Sequence, residues 1–182
     1  MSLLEQRTKA DWQALDSDHY IHPFTDHKDL GEKKSRIIVR AKGVYIYDVD
    51  DNEILDAMSG LWCVNAGYGR TELADAASDQ LKELPYYNSF FQCANPPSIE
   101  LAQMLKNITQ AHLNRVFYTG SGSESIDTMI RIVRRYWEVM GQPKRTTIIA
   151  RKNAYHGSTI AGVSLGGMSP MHSQGGPLLP GI

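Results

Sequence analysis

The feature that most constrains this chain is the turn Gly120-Ser121-Gly122-Ser123, which separates an apolar run from an amphipathic one. The run before it, residues 115–119, is short, β-branched and aromatic, as is typical of a buried strand. After the turn, apolar side chains recur at helical spacing, which predicts a helix with one apolar stripe. The stripe consists of Ile126, Met129, Ile130, Val133 and Trp137. The sequence therefore predicts a strand, a tight turn and the start of a helix.

This turn is suited to binding an anion. Glycine lets a ligand approach the backbone, and serine N–H and hydroxyl groups at a helix N-terminus can hold a phosphate. Alternatively, Ser121 and Glu124 could form the S-x-x-E capping box of an ordinary helix. A capping box explains those two residues but not the two glycines and three serines together. On this stretch alone, both interpretations stay open.

Composition and charge argue against several classes of function. The 182 residues are 42% hydrophobic and 21% charged, with a net charge of -1, which is typical of a globular protein with one sizeable core. This balance indicates neither a nucleic-acid partner nor an anionic membrane surface. No apolar run approaches the roughly 20 residues that cross a bilayer. Because two cysteines are too few for a disulfide framework and no secretory signal is recognisable, we expect a cytoplasmic location.

The N-terminal part predicts a helix followed by an antiparallel meander. A short helix is expected over residues 3–15. Three runs separated by turn residues then predict strands over residues 36–40, 44–48 and 53–57. The histidines around Pro23 lack the ligand spacing of a zinc site, so no metal site is predicted.

The middle of the chain alternates loops and helices. Residues 61–69 combine aromatic side chains with glycines, which favours a loop that lines a ligand, although Trp62 could equally lie in a core. Thr71 is predicted to cap a helix that Pro85 ends. A further helix is predicted to open at Asn95, since two prolines follow it.

Around the glycine–serine turn, the order of elements predicts a βαβ unit. The helix after the turn is expected to end near residues 141–143, and residues 146–150 predict another strand. Such a unit requires a parallel pair of strands and an α/β layer. In these sheets, ligands bind beyond the carboxyl ends of strands. Both the turn and residues 153–159 follow such ends, so we expect these two loops to converge on one crevice.

Four stretches, taken in order, resemble the pyridoxal-phosphate-dependent class III aminotransferases of fold type I, in particular the ω-amine or polyamine:pyruvate branch. They read LDAMSGLWCVNAGYGR, LPYYNSFFQ, NRVFYTGSGSESID and NAYHGSTIAGVSLGGM, with weaker similarity in HPFTDH. The resemblance covers nearly the whole chain and implies an α/β fold. It places residues 1–59, with the meander, in a small domain. Residues 60–182 would form the first part of the large cofactor-binding domain, incomplete at its C-terminus.

The resemblance also implies roles for particular residues. A cup for the 5′-phosphate of pyridoxal phosphate is implied at Ser121, Gly122 and Ser123. Tyr155 resembles the aromatic residue that stacks on the pyridine ring, and His156 and Gly157 flank it. The walls of the amine pocket are implied at Leu61, Trp62, Phe90 and Phe91, with Phe24 a weaker candidate. In this family the pocket is completed across a homodimer.

The residues that perform the covalent chemistry in this family are absent from the 182 residues. Family members form a Schiff base with a lysine, and an aspartate shortly before it pairs with the pyridinium nitrogen. We expect both beyond Ile182, and we do not expect Lys152 to replace the lysine. No catalytic residue is therefore assigned, and the chain alone is expected to be inactive.

The predicted reaction moves an amino group from a primary amine, such as a diamine or ω-amino acid, to pyruvate. A nucleotide-binding domain is an alternative, although the third glycine of the dinucleotide fingerprint and the Lys-Ser or Lys-Thr of a P-loop are missing. A non-catalytic unit for dimerisation or folding is another. Isomerisation by amino transfer within one molecule also stays open, as does the identity of the amine.

Overall fold

A computed structural model describes residues 7–182 of the chain. The chain divides into two compact units, one ending at Asn88 and one running from Ser89 to Ile182. The predicted division at residues 59 and 60 concerns the domains of the whole protein and stays a prediction.

The first unit contains a small sheet with helices before and after it in the chain. Its elements in order are α1 (Lys9–His19), α2 (His27–Lys33), β1 (Ile38–Lys42), β2 (Tyr45–Asp48), β3 (Glu53–Leu55), α3 (Ser59–Trp62) and α4 (Thr71–Glu83). Helix α1 begins and ends later than predicted, and part of the predicted range lies outside the described residues. Helix α2 was not predicted, because its seven residues, HKDLGEK, have a single apolar side chain, Leu30, and include a glycine.

The predicted antiparallel meander is confirmed. The strands lie in the order β1-β2-β3, and both pairs are antiparallel. The turn after β2 is fixed by the buried Asp48 carboxylate, whose Oδ1 accepts hydrogen bonds from the backbone N–H groups of Asp50 and Asn52, both at 3.0 Å. Gly43, between β1 and β2, exchanges two backbone hydrogen bonds with Tyr68. This bridge ties the segment after α3 to the sheet.

The second unit consists of α5 (Pro96–Ile108), α6 (Gly122–Val139), α7 (Ile160–Leu165) and α8 (Ser169–His172). Helix α6 packs against α7, and α7 packs against α8. The buried apolar side chains of this unit come from α6 and α7 and comprise Ile130, Ala161 and Leu165. Asn95 caps α5 as predicted, since its side chain accepts a hydrogen bond from the N–H of Ser98.

Two predictions of local structure were wrong. Thr71 is the first residue of α4 rather than its cap; Arg70 holds the cap position and makes no side-chain hydrogen bond there. Residues 115–119 and 146–150 are not strands, so no parallel pair joins them in the described part of the chain. The N–H of Ile148 instead donates to the carbonyl oxygen of Gly181 at 2.8 Å. A strand requires a neighbour that accepts its ladder of hydrogen bonds, and residues 7–182 provide none for these two segments.

Candidate functional site

The predicted phosphate cup lies at the N-terminus of the 18-residue helix α6. Ser121 has an extended backbone and caps the helix, and its hydroxyl accepts a hydrogen bond from the N–H of Glu124 at 3.2 Å. The Glu124 carboxylate turns back and accepts from the N–H of Gly120 at 2.6 Å. The predicted capping interaction therefore exists, although the carboxylate reaches Gly120 rather than the N–H of the cap residue. Capping accounts for Ser121 and Glu124 and leaves the rest of the turn available to a ligand.

Four hydrogen-bond donors remain open at this helix end. Within residues 7–182, no acceptor contacts the backbone N–H of Gly122 or Ser123, which are the first two N–H groups of the helix. The hydroxyls of Ser121 and Ser123 each accept a backbone N–H, so the proton of each can be donated elsewhere. The positive end of the helix dipole lies at the same place. Together these groups can bind one anion.

The second predicted loop packs directly against this cup. The N–H of Ser158 donates to the Ser123 hydroxyl at 3.1 Å, and the Thr159 hydroxyl donates to the Asp127 carboxylate at 2.7 Å. The close approach depends on Gly157, which is buried. A Cβ atom there would lie 2.6 Å from Ser123 Oγ and 2.9 Å from Ser123 Cα. The prediction that the two loops converge is confirmed.

Tyr155 and His156 lie in the same loop, immediately before Gly157. Tyr155 is 54% exposed and His156 is half-buried. The sequence reasoning missed the two residues that fix this loop, Asp127 and Thr159. A signal was present for Thr159, because a threonine before an apolar helical run is a typical N-cap, and its side chain does accept from the N–H of Gly162.

A wide concavity lies elsewhere, along the middle and C-terminal end of α6. It measures about 1070 Å³, and its lining includes Phe117, Arg131 and Arg135. We place the site at the cup instead, since open donors and a close loop contact define a ligand position better than volume does.

The five predicted pocket-wall residues have exposed side chains. Phe24, Leu61 and Trp62 belong to the first unit, and Phe90 and Phe91 belong to the second. The exposed fraction ranges from 67% for Leu61 to 92% for Phe91. The rings of Phe90 and Phe91 are neighbours, with centroids 6.1 Å apart.

Four of these five residues have a left-handed backbone. Their φ angles are 51° at Phe24, 60° at Leu61, 67° at Trp62 and 55° at Phe91. For a side chain with a Cβ this conformation costs roughly 1–2 kcal/mol, and for a bulky one it is an outlier. Such strain persists only where the surroundings enforce it, and it concentrates at functional sites. Four of the predicted pocket-wall positions thus coincide with strained backbone, and their role in a pocket stays a prediction.

At Leu61 and Trp62 the strain extends through a whole turn. All four residues of α3, Ser59–Trp62, have positive φ angles between 50° and 67°, so this predicted loop is a left-handed turn. The Asp56 carboxylate holds it by accepting hydrogen bonds from the Tyr68 hydroxyl at 2.6 Å and from the N–H of Gly60 at 2.7 Å. These bonds, that of Tyr68 first, lower the pKa of Asp56, and the same contact raises the pKa of Tyr68.

The described residues contain neither a metal-binding cluster nor a membrane-spanning helix. No group of His, Cys, Asp and Glu side chains among residues 7–182 is arranged to hold a metal ion. No helix in the same range combines the length and apolar character needed to cross a membrane.

Comparison with known proteins assigns the family. Residues 29–182 match the family described as Aminotransferase class-III, and the chain therefore belongs to this family. A putrescine–pyruvate aminotransferase of Pseudomonas aeruginosa is 58% identical over 172 residues, which are 94% of this chain and 38% of that protein. The chain thus spans less than two-fifths of the length of this relative.

Solved structures agree. An (S)-enantioselective ω-transaminase of Thermomicrobium roseum matches with a TM-score of 0.92 and 39% identity, over 96% of this chain and 39% of that one. The ω-transaminase of Pseudomonas jessenii in complex with PMP matches with a TM-score of 0.87 and 34% identity, over 100% of this chain and 38% of that one. The chain accordingly has part of the α/β architecture of the fold type I transaminases, as predicted.

Proposed function

We propose that the whole protein is an aminotransferase that moves an amino group from a primary amine to pyruvate with the help of pyridoxal phosphate. The observation that carries this proposal is the cup of four open donors at the start of α6, closed on one side by residues 153–159, in a chain of the class III family. A dinucleotide would need the third glycine of its fingerprint, and a nucleoside triphosphate would need the Lys-Ser or Lys-Thr of a P-loop. The turn has neither.

The residues of the cup suit the phosphate of this cofactor. A phosphate ester is a dianion with three acceptor oxygens. The N–H groups of Gly122 and Ser123 and the hydroxyls of Ser121 and Ser123 would supply its donors. When bound, the cofactor would carry the amino group between the two half-reactions and withdraw electrons from the substrate carbon. Tyr155 would lie against its ring, with His156 beside it.

The amine would be a diamine, an ω-amine or an ω-amino acid, bound by apolar side chains that are exposed here. This rests on the Pseudomonas aeruginosa relative, whose name gives putrescine as donor and pyruvate as acceptor. Leu61, Trp62, Phe90 and Phe91 would supply apolar walls of the amine pocket, with Phe24 as a weaker candidate. These apolar walls would bind the carbon chain of the amine and exclude water from it.

We further propose that the protein acts in the cytoplasm as a homodimer. Cys63 and Cys93 are both free thiols, which suits a reducing compartment. The exposed pocket-wall residues need a covering surface, and a second copy of the protein would supply part of it.

The proposal is tested on the full-length protein by following alanine formation from pyruvate with putrescine as donor. We expect turnover that depends on added pyridoxal phosphate, and no turnover with putrescine or other ω-amines would overturn the proposal. We expect Lys152→Ala to retain the visible absorbance of the bound cofactor. Loss of that band in Lys152→Ala would contradict the placement of the covalent lysine beyond Ile182.

The cup is tested by the double variant Ser121→Ala/Ser123→Ala. Each lost hydrogen bond to a charged group contributes about 1.5–3 kcal/mol, so the loss of two should raise the Kd for pyridoxal phosphate at least about a hundredfold. Ser98→Ala is the matched control, because Ser98 lies in the first turn of α5. An equal change in the double variant and the control would refute the assignment.

A further inference from the structure

The left-handed turn α3 presents two predicted pocket-wall side chains at its end. Leu61 and Trp62 are 67% and 81% exposed, so packing of these side chains within the described residues does not hold the turn in its unfavourable conformation. The turn must therefore be held by other interactions, and its hydrogen bonds identify the residues that hold it.

The Asp56 carboxylate clamps the first half of the turn and is itself held by the Tyr68 hydroxyl. One carboxylate oxygen of Asp56 accepts from the Tyr68 hydroxyl and the N–H of Gly60, and the other accepts from the N–H of Met58 at 3.2 Å. Gly60 leaves little room for change, since a Cβ atom there would lie 3.1 Å from the Tyr68 hydroxyl oxygen and 2.7 Å from Val64 Cγ2. The carboxylate thus bonds to the turn at two backbone positions and to Tyr68 at a third.

Both clamping residues are anchored on the meander. The N–H of Asp56 donates to the carbonyl oxygen of Val44 at 2.9 Å. Tyr68 exchanges two backbone hydrogen bonds with Gly43, at 2.8 and 3.0 Å. Asp56 and Tyr68 are therefore bonded to neighbouring residues at the same end of the sheet. The sheet thus supports the chain on both sides of the turn.

We propose that Asp56 and Tyr68 are positioning residues that hold the left-handed turn and thereby set which amines Leu61 and Trp62 admit. This inference rests on the proposed function only for the amines; the support of the turn by Asp56 and Tyr68 stands on the hydrogen bonds alone. Neither residue needs to touch the substrate. Substitution of either residue would change the selectivity between amines of different size, because it would change only the position of the Leu61 and Trp62 side chains.

The test uses the full-length protein and two variants that preserve side-chain volume, Tyr68→Phe and Asp56→Asn. Tyr47→Phe is the matched control. The Tyr47 hydroxyl also donates to a carboxylate at 2.6 Å, that of Glu53, on the same sheet, but this bond joins β2 to β3 and does not involve Asp56 or the turn Ser59–Trp62. The readout is the ratio of kcat/KM for a bulky aryl amine to kcat/KM for putrescine.

We expect Tyr68→Phe and Asp56→Asn each to change this ratio at least fivefold, in the same direction, with the absorbance of the bound cofactor unchanged. Tyr47→Phe should leave the ratio within twofold. The proposal is overturned if Tyr68→Phe stays within twofold, or if it lowers both rates and cofactor binding in proportion.

A second readout needs no activity. With 5-fluorotryptophan incorporated, the ¹⁹F resonance of Trp62 is assigned by its disappearance in Trp62→Phe. We expect Tyr68→Phe to shift or broaden this resonance and Tyr47→Phe to leave it unchanged. An unchanged resonance in Tyr68→Phe would refute the clamp. If the wild-type protein transfers no amino group from any amine, the proposed function fails while this measurement still decides the clamp.

Discussion

At the scale of single residues, the candidate site contains a backbone contact that leaves no room for an additional side-chain atom. Gly157 shows this most directly, since its backbone lies against Ser123 with a φ angle of 129°. The resemblance indicated this glycine, but the reason for it became visible only in the packed loop. Residue identity predicted Gly157 as a candidate position, whereas the contact that explains this glycine joins residues 34 positions apart (157 − 123).

We expect Gly157→Ala to weaken cofactor binding. The new Cβ atom would overlap Ser123 Oγ at 2.6 Å, and overpacking of this kind costs about 1–3 kcal/mol. The loop should move away from the cup, and the Kd of the full-length protein for pyridoxal phosphate should rise about tenfold, as measured by absorbance titration.

Gly175→Ala is the control for this prediction. Gly175 also has a positive φ angle, 78°, but a Cβ atom there would meet nothing within 4 Å. Equal effects of the two substitutions would show that backbone strain, rather than contact with Ser123, determines binding.

At the scale of elements, local patterns predicted what local interactions determine. The meander and the cap of α5 followed from turn residues and from Asn95, because their hydrogen bonds are made within a few residues. The left-handed turn at α3 did not follow, since Ser59, Leu61 and Trp62 all disfavour it. It depends on Tyr68, which a residue-by-residue pattern does not connect to it.

The Asp56–Tyr68 clamp should have a defined pH window. The pKa of Asp56 is lowered from its ordinary 3.8, so its stabilisation is present above that value and is lost as the pH falls through the lower folded-state pKa. The pKa of Tyr68 is raised above 10.0, so its contribution is present below that value and is lost as the pH rises through the raised pKa.

We therefore expect the Trp62 ¹⁹F resonance to stay constant between about pH 5 and 9 and to change below about pH 3.8. Circular dichroism of the same sample separates this change from global unfolding. In Asp56→Asn the acid-dependent step should be absent. A midpoint between pH 5 and 8 in the wild-type protein would contradict the assignment to Asp56.

At the scale of the whole molecule, the described part of the chain leaves much apolar surface uncovered. Phe117 and Ile149, in the two segments predicted as strands, are 70% and 92% exposed. The sequence identified these segments as apolar and β-branched, but a strand also needs neighbours, and no pattern inside the segment supplies them.

These exposed segments predict how the 182-residue chain behaves when it is produced alone. Apolar faces of this extent associate with one another and bind the dye ANS. We expect sedimentation to show species heavier than 20.4 kDa and ANS fluorescence per residue several times that of the full-length protein.

The double variant Phe117→Ser/Ile149→Ser should reduce both signals, because it removes two of the most exposed apolar side chains of the second unit. Ile182→Ser serves as the control, since Ile182 is already partly covered. A monomer with little ANS binding would contradict this prediction. It would show that residues 115–119 and 146–150 cover each other in solution, as the strand pair predicted from the sequence would.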